Sequence, residues 1–554
     1  MPIKKICVAV LLATALTASL AGCGIRPLDP TVSTDDKPTS SQIVRIPEEQ
    51  AKVRTVEATE TGVLEITDAD LENIIDAYRL PDLERMDAAD AKELVNPLQS
   101  IQRTLDLHEG DMSAVLYPEY NYKAAYNKTY GALDGLWSDL SESTYTGDSA
   151  SGLNTFMEQN GGYVRVTSAT ITADEPISIP NGCALDGNGC RITAAVGNDR
   201  AFDLTEADSV SLSNFVIEDG FDYGIFVDKT NRFKIEGCDV TGAARRALCI
   251  LNECSTFEVI DCYVHENDHG GIFISGDVSY GIFEGNVIEA NEGYANSDAG
   301  FFLGQFNLVK PGTADTSFWE PDQTELVHSP HQLVVIDNEM RGNRAQGFYS
   351  HAGWDNYFIS NTIENNHKEG ACMDFGTTTT YVAYNQFVNN GWRVDVDDGE
   401  PEFNKLPGIS MDNACYNIIR ANIFAENGGT GIKAVRASVR NIIIDNSVID
   451  NNGGASENGH FFGIELASDL KPDHDGAAGL DFAPCMENIV ARNTISGAHY
   501  AGVYLGVDDY ANDVFNNIIM GATEFSIECH STKFNSIVDN IVDTREFYDG
   551  VIIG

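Results

Sequence analysis

The sequence predicts an all-β fold, a parallel β-helix of about 14 coils with about 24 residues in each coil. The main observation is a first column of small polar residues, spaced mostly 23 or 24 positions apart, each two positions before an apolar residue. The members of this column are Cys190, Asn214, Cys238, Cys262, Asn286, Asn338, Asn361, Asn385, Asn422, Asn446, Asn493, Asn517 and Asn540. A fixed period with short apolar segments is typical of a solenoid, in which each coil packs on its neighbours.

Two further columns keep the same period. Five positions after the first column are Asp219, Asn267, Asn291, Asn343, Asn366, Asn390, Asn427 and Asn451, and nine positions after it are Gly271, Gly347, Gly370, Gly431 and Gly502. A unit of about 24 residues is too short for a strand and a crossover helix, which need about 30 residues. Three short strands joined by three turns fit within one repeat of this length. Stacked coils lie about 4.8 Å apart, so inward asparagines can bond the asparagines above and below them. We therefore interpret the asparagine columns as structural.

Net charge limits the possible partners. The 554-residue chain is 43% hydrophobic, which suffices for a long core, and its formal net charge is -49 at pH 7. A nucleic-acid-binding protein carries a basic surface, and this composition predicts none, so we expect no nucleic-acid partner. An acidic substrate would need local cations or a metal ion in order to bind.

The N-terminus has the features of an export signal. Lys4 and Lys5 precede an apolar run over residues 6–20, which ends in the sequence Leu-Ala-Gly-Cys at residues 20–23. This ending resembles the bacterial lipoprotein signal, which implies cleavage before Cys23 and lipid chains on that cysteine. We therefore expect an exported protein, anchored by lipid in the cell membrane or the outer membrane. No other segment is apolar over the 18 or so residues needed to span a bilayer.

The predicted domains follow in order after the signal over residues 1–23. Residues 24–60 are rich in Pro, Ser, Thr and charge, and are predicted to form a flexible tether. Residues 61–150 form a helical region, with helices predicted over 68–78, 87–107 and 122–140. This region is either a cap or a docking module, and both remain open. Residues 151–554 form the β-helix.

The first coils carry a resemblance to a known superfamily. Residues 153–159 (LNTFMEQ), 161–166 (GGYVRV) and 179–189 (IPNGCALDGNG) resemble the opening of pectate-lyase-like proteins, with a capping helix, a Gly-Gly turn, a first strand and a first coil. The resemblance implies a right-handed β-helix. That superfamily includes lyases, hydrolases, epimerases and non-enzymes, so the fold does not fix the activity.

Side chains with catalytic potential concentrate on one strand of the central coils. Counted from each glycine, the second and fourth residues of the following strand should face solvent because strand residues alternate. Tyr349, His351, Asp374, Asp412, Lys433 and Glu465 occupy these positions, and Arg436 follows its strand directly. Insertions within residues 305–331, 391–407 and 469–485 should wall a groove over this face, with Trp319, Trp354 and Trp392 as platforms for sugar rings.

Two catalytic schemes fit these residues. In the first, Asp374 and Asp412, which lie on neighbouring coils, bind Ca²⁺ with Asn413 or Asp355, while Lys433 removes a proton next to a uronate carboxylate neutralised by Arg436. This arrangement is similar to calcium-dependent polysaccharide lyases. In the second, Tyr349 and His351 act as acid and base, as in lyases and epimerases of alginate-like polymers. The Tyr-Gly-Phe-Asp-Pro-His run of mannuronan epimerases is missing from the sequence.

The leading interpretation is an envelope-anchored enzyme that acts on an acidic polysaccharide, as a β-eliminating lyase or an epimerase, with Glu465 contacting the substrate. Two alternatives stay open. One is a glycoside hydrolase that uses Asp374 and Asp412. The other is a non-catalytic surface protein: a glycan-binding scaffold, an adhesin or a component of an envelope assembly.

Overall fold

The structure of the protein is a computed structural model. It describes residues 95–109, 113–293, 295–304, 327–374, 376–395, 402–451, 460–467, 484–507, 509–531 and 534–548. The predicted signal with Cys23, the tether, the helix over 68–78 and Trp319 lie outside the described residues. None of the described helices is both long enough and apolar enough to cross a membrane.

The described chain winds into a parallel β-helix with three strands in most coils. A 13-stranded sheet (the short sheet) holds the third strand of each coil. Numbered in chain order, its strands are β5 (Arg200–Thr205), β7 (Tyr223–Asp228), β10 (Arg246–Leu251), β13 (Gly270–Ser275), β16 (Phe301–Gly304), β19 (Phe348–His351), β22 (Ala371–Asp374), β27 (Ile409–Asp412), β30 (Ile432–Val435), β33 (Phe462–Ala467), β36 (Ala501–Leu505), β39 (Phe525–Cys529) and β42 (Phe547–Tyr548).

A 27-stranded sheet (the long sheet) holds the first and second strands of each coil and bends between them. Its strands are β1 (Glu142–Tyr145), β2 (Tyr163–Val166), β3 (Thr170–Ala173), β4 (Ala184–Ala194), β6 (Asp208–Ile217), β8 (Asn231–Glu236), β9 (Asp239–Thr241), β11 (Ser255–Ile260), β12 (Tyr263–His265), β14 (Ser279–Glu284), β15 (Val287–Glu289), β17 (Val334–Ile336), β18 (Glu339–Arg341), β20 (Tyr357–Ile359), β21 (Thr362–Glu364), β23 (Tyr381–Ala383), β24 (Gln386–Val388), β28 (Ile418–Arg420), β29 (Ile423–Ala425), β31 (Ile442–Ile444), β32 (Ser447–Ile449), β34 (Ile489–Ala491), β35 (Thr494–Ser496), β37 (Asp513–Phe515), β38 (Ile518–Met520), β40 (Ser536–Val538) and β41 (Ile541–Val542). Each strand pairs in parallel with its counterpart one coil later; Val335, for example, pairs with Phe358 and Phe358 with Val382.

The predicted asparagine ladders are confirmed. Asn338 donates through Nδ2 to Asn361 Oδ1 at 2.9 Å, and Asn361 donates in the same way to Asn385 at 3.0 Å. The ladder of the second column is built alike, for example from Asn343 to Asn366. A third ladder, five positions before the first column, was not identified from the sequence; its members are Asn417, Asn441, Asn488, Asn512 and Asn535. These side chains are buried, so their mutual hydrogen bonds replace those lost to water.

Close approach between coils explains the glycine column. A Cβ atom on Gly370 would lie 2.7 Å from the carbonyl oxygen of Gly408 on the next coil, and one on Gly347 would lie 2.5 Å from Ile363. Both distances are shorter than van der Waals contact allows, so a larger residue would push the coils apart. Glycine therefore marks the start of the short-sheet strand, which fixes the position of every side chain on it.

The described helices are α1 (Val95–Leu107), α2 (Ser113–Leu116), α3 (Pro118–Leu133) and α4 (Ala150–Asn160), with a 3₁₀ turn at Asn296–Asp298. Helix α4 lies at the predicted capping helix and buries Leu153 and Met157. Helix α3 lies on the outer face of the long sheet, where Tyr126 donates to Glu284 at 2.8 Å. The predicted helix over 122–140 is wrong beyond Leu133, because residues 134–139 form turns around Gly135, whose φ is +70°.

Candidate functional site

The outer face of the short sheet carries two aligned columns of side chains. The Tyr349 column contains Phe226, Cys249, Phe273, Phe302, Tyr349, Cys372, Ser410, Lys433, Glu465, Tyr504, Glu528 and Phe547. The His351 column contains Ser275, Gly304, His351, Asp374, Asp412, Val435 and Ala467. This register confirms the predicted alignment: the ionisable residues share one face, and Asp374 lies beside Asp412.

Tyr349, His351 and Asp374 form one hydrogen-bonded cluster (the Tyr-His-Asp cluster). The Tyr349 hydroxyl donates to Asp374 Oδ2, and His351 Nδ1 lies 3.0 Å from Asp374 Oδ1. The three side chains are deeply set, since Tyr349 is 2%, His351 4% and Asp374 5% exposed. One carboxylate thus orients both a phenol and an imidazole. With Nδ1 donating to the carboxylate, a neutral imidazole carries its lone pair on Nε2.

Packing against neighbouring coils fixes this cluster. The Tyr349 ring stacks on Phe302 with ring centroids 5.5 Å apart, and Phe302 stacks on Phe273 at 4.8 Å. Directly after the strand, Ala352 adopts φ +65°, which turns the chain away from the sheet behind His351. The aromatic stack and the turn hold the cluster on rigid elements, as a catalytic site requires.

Four further charged residues of the face form two ion pairs. Arg436 Nη2 contacts Asp412 Oδ2, and Lys433 Nζ lies 3.4 Å from Glu465 Oε1. Thr430 donates to the second oxygen of Glu465 at 3.1 Å, a contact that the repeat pattern did not predict. Arg436 and Lys433 remain about one-third exposed, so both cations can meet a ligand on this face.

Small side chains separate the cluster from these cations. Cys372 and Ser410 follow Tyr349 in its column, and both are half-buried. Burial and the nearby carboxylates of Asp374 and Glu369 raise the pKa of the Cys372 thiol well above its ordinary value. Cys372 is therefore a neutral floor residue rather than a thiolate nucleophile.

Of the three predicted tryptophan platforms, Trp354 and Trp392 lie among the described residues. Trp392 is 38% exposed, and its indole N–H donates to the carbonyl oxygen of Glu426 at 3.2 Å. It begins an antiparallel hairpin of β25 (Trp392–Asp395) and β26 (Glu402–Lys405), which is the described part of the insertion over 391–407. Trp354 lies in the turn after β19, stacked on His331 at 4.2 Å and edge-on to His108 of the helical region.

The structure gives the calcium hypothesis no direct support. Among the described residues, no group of three or more His, Cys, Asp or Glu side chains is arranged to hold a metal ion. Asp412 contacts Arg436, and Asp355 contacts His108 at 2.9 Å and Gln332 at 3.0 Å. Asn413 follows Asp412 in a turn with φ +50°. A Ca²⁺ ion bound by Asp374, Asp412 and Asn413 stays a prediction.

Comparisons with known proteins agree with the fold. A family profile described as "Right handed beta helix region" matches residues 200–309 and 324–469. The chain has this right-handed parallel β-helix fold, as the resemblance of its opening coils implies. A comparison with curated protein sequences finds no match.

Three solved structures illustrate the structural likeness. The A-module of the mannuronan C-5 epimerase AlgE4 from Azotobacter vinelandii is 16% identical, with a TM-score of 0.46 over 70% of this chain and 96% of that one. A doubly substituted periplasmic alginate epimerase AlgG is 14% identical, with a TM-score of 0.37 over 66% and 77%. The DFA-IIIase from Arthrobacter chlorophenolicus A6 with DFA-III is 12% identical, with a TM-score of 0.41 over 73% and 96%. At these identities the likeness is one of fold alone.

Proposed function

We propose that the protein is a polysaccharide-active enzyme that removes the proton next to the carboxylate of a uronic-acid unit, as a β-eliminating lyase or an epimerase. The observation that carries this proposal is the Tyr-His-Asp cluster, in which Asp374 contacts both the Tyr349 hydroxyl and His351 Nδ1. A phenol and an imidazole on one carboxylate supply an acid and a base at neighbouring positions.

In the elimination, His351 Nε2 takes the proton from C5 of the uronate unit. The electron pair of the C5–H bond forms the C4=C5 double bond, the C4–O bond breaks, and the Tyr349 hydroxyl protonates the departing oxygen. Asp374 stabilises the imidazolium that forms, through its contact with Nδ1. His351 then releases the Nε2 proton to water, and water reprotonates the Tyr349 phenolate, which restores both groups. An epimerase shares the first step and then returns a proton to the opposite face of C5.

The cations of the groove supply the charge that this chemistry needs. Removal of the C5 proton is easier when the uronate carboxylate is neutralised, because negative charge develops on it. Lys433 and Arg436 lie two strands from Asp374, about 10 Å along the sheet. Lys433 pairs with Glu465, whose Oε1 lies 3.4 Å from the Lys433 Nζ. Arg436 contacts Asp412, which lies beside Asp374. We therefore assign Arg436 to the carboxylate of the reacting unit, Lys433 to that of a neighbouring unit of the polymer, and the base to His351.

The experiment that tests this proposal is incubation with a panel of uronic-acid polysaccharides in heavy water. A lyase produces the ultraviolet absorbance of an unsaturated uronate, and an epimerase introduces deuterium at C5 without cutting the chain. New reducing ends without unsaturation would instead indicate a hydrolase that uses Asp374 and Asp412. Binding without any of these products would contradict the enzymatic proposal and indicate a glycan-binding scaffold.

The decisive variant is Tyr349→Phe, which keeps the ring on Phe302 and removes only the hydroxyl. We expect kcat to fall about 10²- to 10⁴-fold, the contribution of a positioned acid or base. The matched control is Tyr263→Phe on the long sheet, because Tyr263 also donates to a carboxylate, Glu289, at 2.9 Å. Equal rates for the parent and Tyr349→Phe would remove Tyr349 from the mechanism.

We further propose that the enzyme works outside the cytoplasm, held by lipid on Cys23. Supporting this are the charged, apolar and cysteine elements in the order of a lipoprotein signal. Mass spectrometry of the membrane fraction should find a diacylated N-terminal cysteine, and Cys23→Ala should release the protein from that fraction. A protein that keeps residues 1–22 would contradict this assignment.

A further inference from the structure

Beyond the candidate site, the outer face of the short sheet carries six aromatic and imidazole rings (the aromatic ribbon). They lie on successive coils toward the end of the described chain: His460, Tyr500, Tyr504, Phe525, His530 and Phe547. All six are half-buried or exposed, although aromatic side chains usually contribute to a core. His460 and Phe547 are exposed and the other four rings are half-buried, and exposed aromatic groups commonly mark a binding surface.

The rings contact one another in an unbroken order. The centroid distances are 3.9 Å from His460 to Tyr500, 6.1 Å from Tyr500 to Phe525, and 6.0 Å from Phe525 to Phe547. The order continues from Phe547 to His530 at 5.1 Å and from His530 to Tyr504 at 5.6 Å. All five pairs are edge-on or tilted. One face of the Tyr504 ring is covered by Phe462 at 4.4 Å, and one face of the Phe525 ring by Arg545 at 4.5 Å.

A buried carboxylate oxygen lies unsatisfied within the ribbon. Glu528 Oε1 lies 2.8 Å from His530 Nε2, while its buried Oε2 has no hydrogen-bond partner among the described residues. The Glu528 side chain is only 11% exposed. A buried acceptor without a partner costs about 1–3 kcal/mol, and a ligand hydroxyl that donates to it would recover that free energy.

The ribbon is continuous with the candidate site. Glu465 pairs with Tyr504 and Tyr504 with Glu528, in the same column as Tyr349 and Lys433. Four strand steps of about 4.8 Å separate Asp374 from Tyr504, so the ribbon begins about 19 Å along the same face. A polymer lying along this face would reach the ribbon without bending around the solenoid.

We propose that the aromatic ribbon is a second binding site for the glycan chain, which holds a distal stretch of the polymer engaged at the Tyr-His-Asp cluster. The ring faces that these neighbours leave uncovered match the C–H faces of sugar rings, and Glu528 Oε2 accepts from a sugar hydroxyl. Arg545 lies over the Phe525 ring at 4.5 Å and is bound to Glu524. The chain has a formal net charge of -49, but the pair of Arg545 and Glu524 is neutral, so an acidic polymer meets less repulsion there. The occupant named here rests on the proposed function.

The test compares long and short substrates with the double variant Tyr500→Ala/Phe525→Ala. Affinity electrophoresis in gels that contain polygalacturonate, alginate or neutral xylan measures binding independently of turnover. We expect polymer binding to weaken about tenfold, as the loss of two ring contacts predicts. Turnover of oligosaccharides too short to reach the ribbon should not change. Glu528→Gln keeps the fold and gives a second measurement, since it replaces one acceptor with a donor.

The matched control is Tyr120→Ala on α3, a ring that is 69% exposed outside the ribbon. Unchanged polymer binding by both ribbon variants, with turnover intact in the parent, would overturn the ribbon and leave the enzymatic proposal standing. Weakened binding in a protein that converts none of the polymers would support the ribbon as a glycan site and overturn the proposed activity. A parent that binds no polysaccharide of the panel would overturn both.

Discussion

Two clusters of the same residue types lie on different sheets of the solenoid. On β12 of the long sheet, Tyr263 and His265 are two positions apart, as Tyr349 and His351 are on β19. Tyr263 donates to Glu289 at 2.9 Å, and His265 contacts Asp239 at 2.9 Å. In the Tyr-His-Asp cluster, by contrast, both groups share the single carboxylate of Asp374.

The two clusters also differ in how deeply their carboxylates are buried. The Asp239 and Glu289 side chains are 29% and 32% exposed, whereas that of Asp374 is 7% exposed. Water screens the contacts of Asp239 and Glu289, so each contributes little to stability. In the second cluster the electric field of the carboxylate acts at full strength on both partners. Residue types and spacing therefore do not identify a catalytic cluster. The proposed site is distinguished by its shared, buried carboxylate.

The largest expected effect contrasts Asp374→Asn with Asp239→Asn. In Asp374→Asn the new amide would donate where the carboxylate accepts, so His351 and Tyr349 would lose their common orientation. We expect kcat for uronate conversion to fall about 10²- to 10⁴-fold. Initial rates on the polymer that the parent converts measure the effect, and circular dichroism verifies the fold.

The control, Asp239→Asn, alters a His–Asp contact of the same length on the long sheet. Its rate should equal that of the parent. If both variants lose activity alike, the rate reports stability instead of chemistry, and the distinction between the two clusters fails.

The repeat period made the fold predictable from the sequence, but it predicted only part of the candidate site. The glycine column fixes the register, so the adjacency of Asp374 and Asp412 could be predicted. The bond from Tyr349 to Asp374 runs diagonally between two columns, and the pairing of Arg436 with Asp412 depends on side-chain rotamers. Neither contact follows from a repeat, because a repeat determines the backbone positions and not the rotamer of each side chain.

Two features of the fold were not predicted correctly from the sequence: the end of helix α3 and the third asparagine ladder. Leu136, Trp137 and Leu140 continue the helical spacing of α3, but the chain turns at Gly135. The third ladder, which begins at Asn417, keeps the same period as the others. It was missed because Thr380 takes the asparagine position one coil earlier, which interrupts the column.

A second contrast concerns stability. Asp374→Ala removes the acceptor of two buried groups, so we expect the free energy of unfolding to fall by about 3 kcal/mol. Asp239→Ala breaks a partly exposed contact and should cost less than about 1 kcal/mol. Guanidinium denaturation followed by tryptophan fluorescence measures both. Equal losses would show that burial does not distinguish the clusters.

The smallest effect tests whether burial raises the pKa of a carboxyl group on the long sheet, near Tyr263 and His265. Glu258 lies on β11, the strand before Tyr263, and is 4% exposed. Burial raises its pKa to about 7, against the opposing effect of Lys234 and with the help of Glu236, Glu284 and Asp134. The folded protein therefore binds this proton more tightly than the unfolded chain does. Its stabilising effect is complete below the unfolded pKa of about 4.5 and is lost as pH rises through about 7.

Glu258→Gln should remove this pH dependence, because its amide does not titrate. Above pH 7 we expect the variant to be more stable than the parent by about 2 kcal/mol, and near pH 4 to be equal to it. Thermal unfolding across this range measures the difference. The matched control is Glu289→Gln on β15, a carboxylate that is 32% exposed, and this variant should keep the pH dependence that Glu258 confers. If Glu258→Gln also follows the parent, burial does not govern proton affinity on this sheet, and the contrast drawn for Asp374 loses its physical basis.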